Sequence, residues 1–221
     1  TGSGKSTLLQ LLCGLIEPDG GEIHCGDGDL SSKSAMIFQY PEDCFFNPTV
    51  IEELEFGLKT AGKKGSERLN GITEVIGFDL QKFGSRTPFS LSGGEQRLLA
   101  IASMAVLDKA ILLLDEPTSG LDDTAVQRVR KLLLSESRLG KTIVVSTHWP
   151  AEFMDMATHV MNLEDGSLEY FVTVEEYVES NLHNKQLEEK EKYLLDYYKR
   201  FKTFPDNDEE LIEFARREKK C

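Results

Sequence analysis

Thr1-Gly2-Ser3-Gly4-Lys5-Ser6-Thr7 opens the chain and matches the end of the pattern G-x-x-x-x-G-K-[ST]. Gly2 and Gly4 let successive backbone N–H groups turn inward on phosphate oxygens. A helix starting near Ser6 directs its positive end at the same point. Lys5 has the reach for β- and γ-phosphates, and the Ser6 hydroxyl is a ligand for Mg²⁺. The first glycine of the pattern falls two positions before Thr1. A strand feeding the loop and any targeting segment are therefore expected upstream.

Outward from this loop, residues 6–15 read as a helix closed by Gly14 and Pro18. Short strands are expected at 22–25 and 35–38, helices at 49–59 and 66–76, and a flexible loop at 62–65. A strong helix spans 94–107. The run 110–114 is continuously apolar, as in the centre of a parallel sheet, and 142–146, Thr-Ile-Val-Val-Ser, is expected to be another buried strand. An amphipathic helix at 124–137 lies between them. A short helix at 150–157 and late strands at 159–162 and 167–170 follow. Strands alternating with helices predict an α/β fold with a mostly parallel, doubly wound sheet. The tail is rich in Glu, Lys, Leu and Tyr, so 174–201 and 209–220 are expected to be helical, with a break at Pro205-Asp206-Asn207-Asp208.

Two further strings carry chemistry. Ile111-Leu112-Leu113-Leu114-Asp115-Glu116 brings two carboxylates to the carboxyl end of a strand, where α/β sheets bind ligands. Asp115 is placed for Mg²⁺ and Glu116 for the attacking water; a cation relieves the repulsion between the pair. Leu91-Ser92-Gly93-Gly94-Glu95-Gln96 puts a serine and two glycines at a helix start, a second anion site. One chain then owns two phosphate-binding ends. A head-to-tail dimer reconciles them, each ATP lying between the loop of one copy and Ser92, Gly93 and Gly94 of the other.

Over about residues 1–170 the sequence resembles the nucleotide-binding domain of an ABC transporter, a P-loop NTPase with an added helical subdomain, here about 45–107. The motifs come in the family's order: phosphate loop, Gln39, residues 91–96, residues 111–116, Ser119-Gly120-Leu121-Asp122, then His148. The resemblance implies an ATP hydrolase. Glu116, His148 and Gln39 would be its catalytic residues. Thr1, Gly2, Ser3, Gly4, Lys5, Ser6 and Thr7 would bind nucleotide with Ser92, Gly93, Gly94 and Asp122. Ser6, Gln39 and Asp115 would hold Mg²⁺. Asp122 alone also reads as a helix N-cap, and Gln96 and Arg97 read as structural. The family's adenine-stacking aromatic is expected upstream of Thr1. Residues 171–221 form a charged helical extension, read as a solvated, partner-binding or dimer-supporting element.

Gln39-Tyr40-Pro41-Glu42-Asp43, followed by Phe45-Phe46 and Phe56-Gly57-Leu58, resembles the energy-coupling factor and cobalt-type ATPases that serve vitamin and metal-ion importers. In those a groove after the glutamine loop receives helices of a membrane protein. Tyr40, Phe45, Phe46 and Phe56 are candidates to line such a groove or to pack the helical subdomain. The resemblance implies a homo- or heterodimer with another such domain, an integral membrane subunit as partner, and a peripheral place on a cytoplasmic, stromal or matrix face. A soluble ABC ATPase of DNA repair, translation or iron–sulfur assembly is the alternative; repair-type coiled-coil insertions are not seen.

Bulk properties agree. No apolar run approaches the ~20 residues that span a bilayer. A net charge of −13 argues against nucleic acid as a partner, which needs a basic face. Residues 171–221 hold 13 acidic and 10 basic side chains, so the tail is nearly balanced. Cys13, Cys25, Cys44 and Cys221 include no C-x-x-C pair and are expected to be ordinary reduced thiols.

Overall fold

The apolar run after the glycine loop forms α1, Lys5–Cys13, ended by Gly14 at φ +71°. The structure, a computed structural model, describes residues 2–26, 28–40, 44–61, 65–181, 187–205 and 208–218. After α1 come α2 (Leu30–Lys33), β1 (Ser34–Ile37), α3 (Val50–Ala61), α4 (Gly65–Val75), α5 (Leu80–Phe83), a 3-10 turn (Pro88–Ser90) and α6 (Gly93–Val106). Next follow β2 (Ile111–Asp115), α7 (Asp123–Arg138), β3 (Thr142–Ser146), a 3-10 turn (Pro150–Glu152), β4 (His159–Glu164) and β5 (Ser167–Thr173). The tail is α8 (Val174–Asn181), α9 (Glu189–Phe201) and α10 (Asp208–Glu218). The chain divides into two compact units, Lys5–Thr147 and Thr1–Gly4 with His148–Cys221.

In Lys5–Thr147 the strands run parallel in the order β1-β2-β3. Every residue of β1 is buried and β2 is buried from Leu112 onward, as a sheet covered on both faces requires. One face meets α1: Leu9 and Cys13 pack with Met36 and Leu113. Side chains alternate along a strand, so Ala35, Ile37, Leu112 and Leu114, also buried, face the other way. On that side α6 meets β1, and α7 meets β3. The hydroxyl of Ser34 donates to the Cys13 carbonyl at 3.3 Å. The end of α1 thus lies at the start of β1, and α1 runs antiparallel to the strands. Its N-terminus accordingly points toward their carboxyl ends.

In the other unit β4 and β5 pair antiparallel. Met154, Val174, Tyr177, Val178, Leu195 and Phe214 form its core, joining the hairpin's neighbourhood to α8, α9 and α10. Residues 148–170 share this core with the tail, so the compact units part after Thr147.

Several expectations need correction. Residues 22–25 form no strand; they pair with no described segment and stay exposed or half-buried, and a strand persists only where its backbone finds a partner. Gly65 opens α4 instead of ending a loop, and residues 62–64 lie outside the described residues. Residues 150–157 are not a helix. Bonds from Glu152 N–H to Trp149 O and from Phe153 N–H to Pro150 O close 3-10 turns. The stretch 174–201 is two helices. Ser180 and Asn181 bond back to the Glu176 and Tyr177 carbonyls at 2.8 and 3.0 Å, which competes with helix propagation. The break expected at 205–208 falls partly on Asp206 and Asn207, outside the described residues, as does Cys221. The four-residue helices α2 and α5 were too short to leave a periodic signal.

Candidate functional site

Gly2 and Gly4 sit at φ +94° and +92°, the left-handed backbone that glycine adopts without steric cost. Ser3 between them accepts from Gly166 N–H at 3.3 Å. Thr1 lies outside the described residues. Lys5 and Ser6 form the first turn of α1, where Ser6 and Thr7 are exposed and Lys5 half-buried. The amides of that turn, which have no acceptor within the helix, face the carboxyl edge of the sheet, as an anion site requires.

Asp115 ends β2, 4% exposed, in the alternation of Ile111 and Leu113 and therefore on the α1 face. Glu116 follows at φ +50°, a left-handed conformation rare for a non-glycine residue. Its N–H donates to the Ser146 carbonyl at 2.9 Å, so the end of β3 holds the acidic turn in place. The donor set here is oxygen only, which suits a hard cation such as Mg²⁺. Among the described residues no group of three or more His, Cys, Asp or Glu stands ready for a metal.

Arg97 draws the motifs together. Buried one turn into α6, it donates from Nη2 to the Gln39 carbonyl at 2.7 Å. Its Nη1 donates to the carbonyls of Glu116 at 3.3 Å and Ser119 at 2.5 Å. Three loops read separately from sequence thus hang on one guanidinium. The signal was a charged residue inside a run of Leu, Ala and Ile. Gln39 itself is exposed just beyond β1.

Ser92 caps α6 in a capping box. Glu95 Oε2 accepts from the Ser92 N–H and hydroxyl, each at 2.8 Å, and Ser92 Oγ accepts from Glu95 N–H at 3.4 Å. These bonds hold the Glu95 carboxyl below its ordinary range, the backbone donor first. A Cβ on Gly93 would meet nothing within 4 Å, and one on Gly94 would touch Leu121 Cδ2 at 3.6 Å. The bare helix tip therefore adjoins the segment leading to Asp122. Asp122 caps α7 by accepting from Ala125 N–H at 2.8 Å.

His148 follows β3 and is exposed in the second unit. Ser146, two residues earlier, was missed by sequence reasoning; its hydroxyl is buried at the end of a strand that was expected to be buried but is half-buried from Ile143 to Val145 and exposed at Thr142. It pairs in register with Asp115.

Phe45, Phe46 and Phe56 line a cavity of about 100 Å³ with Met36, Phe38 and Met104. Phe46 and Phe56 meet edge to face at 4.7 Å and both are exposed, whereas Phe45 is buried. Tyr40 is exposed outside that lining, and Pro41, Glu42 and Asp43 lie outside the described residues.

The family described as ABC transporter matches residues 1–119. Over 195 residues the chain is 34% identical to the energy-coupling factor transporter ATP-binding protein EcfA2 of Clostridioides difficile (strain 630), covering 82% of this chain and 68% of that protein. Among solved structures it resembles the ATP binding subunit of an ABC transporter (TM-score 0.73, 22% identity, 89% of this chain and 85% of that chain). It also resembles a dimeric post-hydrolysis state of an ATP-binding cassette bound to ADP and Pi (TM-score 0.65, 28% identity, 78% and 81%).

Proposed function

Because the chain belongs to the ABC transporter family of ATPases, we propose that it is the ATP-hydrolysing subunit of an energy-coupling-factor-type importer of a vitamin or metal ion, working as one half of a dimer that encloses two MgATP. The observation that carries this reading is the bare tip of α6. The capping box engages the amides of Ser92 and Glu95. Those of Gly93 and Gly94, in the first turn, have no intrahelical acceptor. Gly93 is exposed and its own chain has no steric need for a glycine there. Such a tip suits the phosphates of an ATP held by a second copy or a related domain.

In this reading the amides of residues 2–4 and the first turn of α1 receive the phosphates, and Lys5 neutralises their β- and γ-oxygens. Ser6, Gln39 and Asp115 would hold Mg²⁺, which when bound neutralises charge between those oxygens. Glu116 accepts a hydrogen bond from water and holds it in line with the γ-phosphorus. His148 donates to the γ-phosphate. Asp122 links the two sites across the dimer. Closure adds the partner's Ser92, Gly93 and Gly94, and the preference of ATP for the closed state drives the membrane subunit. The exposed Phe46 and Phe56 beside the apolar cavity fit the docking of that subunit's helices, which would hold the ATPase peripherally at the cytoplasmic face, or the stromal or matrix face in an organelle. Among the described residues no helix is long and apolar enough to cross a membrane.

Glu116→Gln keeps the size of the side chain and removes its charge. It should bind ATP and dimerise while phosphate release falls by about 10²–10³-fold, the usual cost of one catalytic electrostatic contact. Sedimentation with saturating ATP and a phosphate-release assay measure both. A variant that stays monomeric and hydrolyses at the parent rate overturns the reading.

A further inference from the structure

Ser146 Oγ is a buried hydroxyl beside the acidic strand end that the proposed site does not use. Ser146 is 7% exposed, and its Oγ has no hydrogen-bond partner among the described residues, whereas buried hydroxyls are ordinarily paired. Its register partner is Asp115, and partners in a parallel pair share a face of the sheet. Two residues back, the pair Leu113 and Val144 packs on α1 with Leu9. Advancing two residues along a strand covers about 6.6 Å. Retreating four residues along the antiparallel α1, from Leu9 to Lys5, covers about 6 Å. Ser146 Oγ therefore stands with Asp115 at the level of the first turn of α1.

We propose that Ser146 is a positioning residue for the metal: its Oγ accepts a hydrogen bond from a water of the Mg²⁺ shell that Asp115 also holds. This rests on the reading of Asp115 as a metal-holding residue. A cation makes its bound waters stronger donors, and each then needs an acceptor in the surrounding protein. A carboxylate and a hydroxyl lone pair on one face supply two; an apolar side chain at 146 would supply none.

Mn²⁺ is the probe, titrated by electron paramagnetic resonance into the full chain with saturating ATP. Ser146→Ala should weaken Mn²⁺ by about tenfold, the lower end of what loss of an outer-shell partner costs, with ATP binding in EDTA unchanged. Ser146→Thr, which keeps the hydroxyl, should restore Mn²⁺ binding. Parent-like Mn²⁺ affinity in Ser146→Ala, with Asp115→Asn crippled, overturns the inference and leaves the site reading standing. Parent-like affinity in both variants overturns the two together. Weakened Mn²⁺ that Ser146→Thr fails to restore also counts against the hydroxyl.

Discussion

Arg97 brings a permanent charge into an apolar helix, and its planar fork of donors explains what that gains. The guanidinium holds three carbonyls at once, those of Gln39, of Glu116 at the acidic turn and of Ser119 before Asp122. Lysine has one point of charge and cannot reproduce that geometry. Arg97→Lys should therefore fold and bind ATP near the parent affinity, yet lose on the order of 10²-fold in kcat, the penalty of a small misplacement of reacting groups. Steady-state kinetics separates the two, and a rise in KM with kcat intact would contradict the assignment. Glu116 adds a second local device. Its left-handed backbone costs roughly 1–3 kcal/mol and is held by the bond to Ser146 O. Sequence shows which carboxylate follows the strand; it does not show that the backbone must twist to aim it. Nor does it show where the guanidinium of Arg97 points, because its three acceptors are main-chain atoms, identical in every residue.

At the scale of elements, legibility followed the source of stabilisation. β2 was readable because burial on both faces demands an unbroken apolar run, and α7 because one face alone is apolar; β3, expected to be buried, is only half-buried from Ile143 to Val145. The strand expected at 22–25 failed because pairing is not encoded in the segment itself. The division of α8 from α9 depends on two polar side chains, Ser180 and Asn181, turning back on the carbonyls of Glu176 and Tyr177. Between those helices lies a buried acid: Tyr177 donates to Glu191 Oε1 at 2.9 Å. Burial first, with Glu188 nearby adding to it, raises the Glu191 carboxyl above its usual range, while the tyrosine bond pulls the other way. A carboxyl with a raised folded pKa contributes stability that is fully present below its unfolded value and is lost as pH rises through the folded value. Glu191→Gln keeps an acceptor for Tyr177 and never ionises. Its melting temperature should exceed the parent's at neutral pH and converge with it as pH falls below the ordinary glutamate range. Melting curves across pH check this, and a gap that widens toward acid contradicts it.

For the whole molecule, a largely buried ionic cluster ties α4 to α7 and the approach to β3 within Lys5–Thr147. Arg68 of α4 and Lys141 before β3 both reach Glu136 of α7, at 2.5 and 2.7 Å, and Asp108 joins at 3.4 and 2.8 Å. The Glu136 side chain is 3% exposed. Glu136→Ala leaves Arg68 and Lys141 with only the half-exposed Asp108 as a carboxylate partner among the described residues and should cost about 1–3 kcal/mol in a denaturant titration. A loss below 1 kcal/mol would mean that water reaches the cluster. The proposed boundary of the ATPase domain near residue 170 deserves weighing against how the tail is built. Met154, six residues past His148, is buried in the same core as Val178, Leu195 and Phe214. The tail thus acts as the keel beneath the turns that follow the histidine. An allele cut short after β5 would keep every signature string of the family and still leave that imidazole on an unmoored stalk.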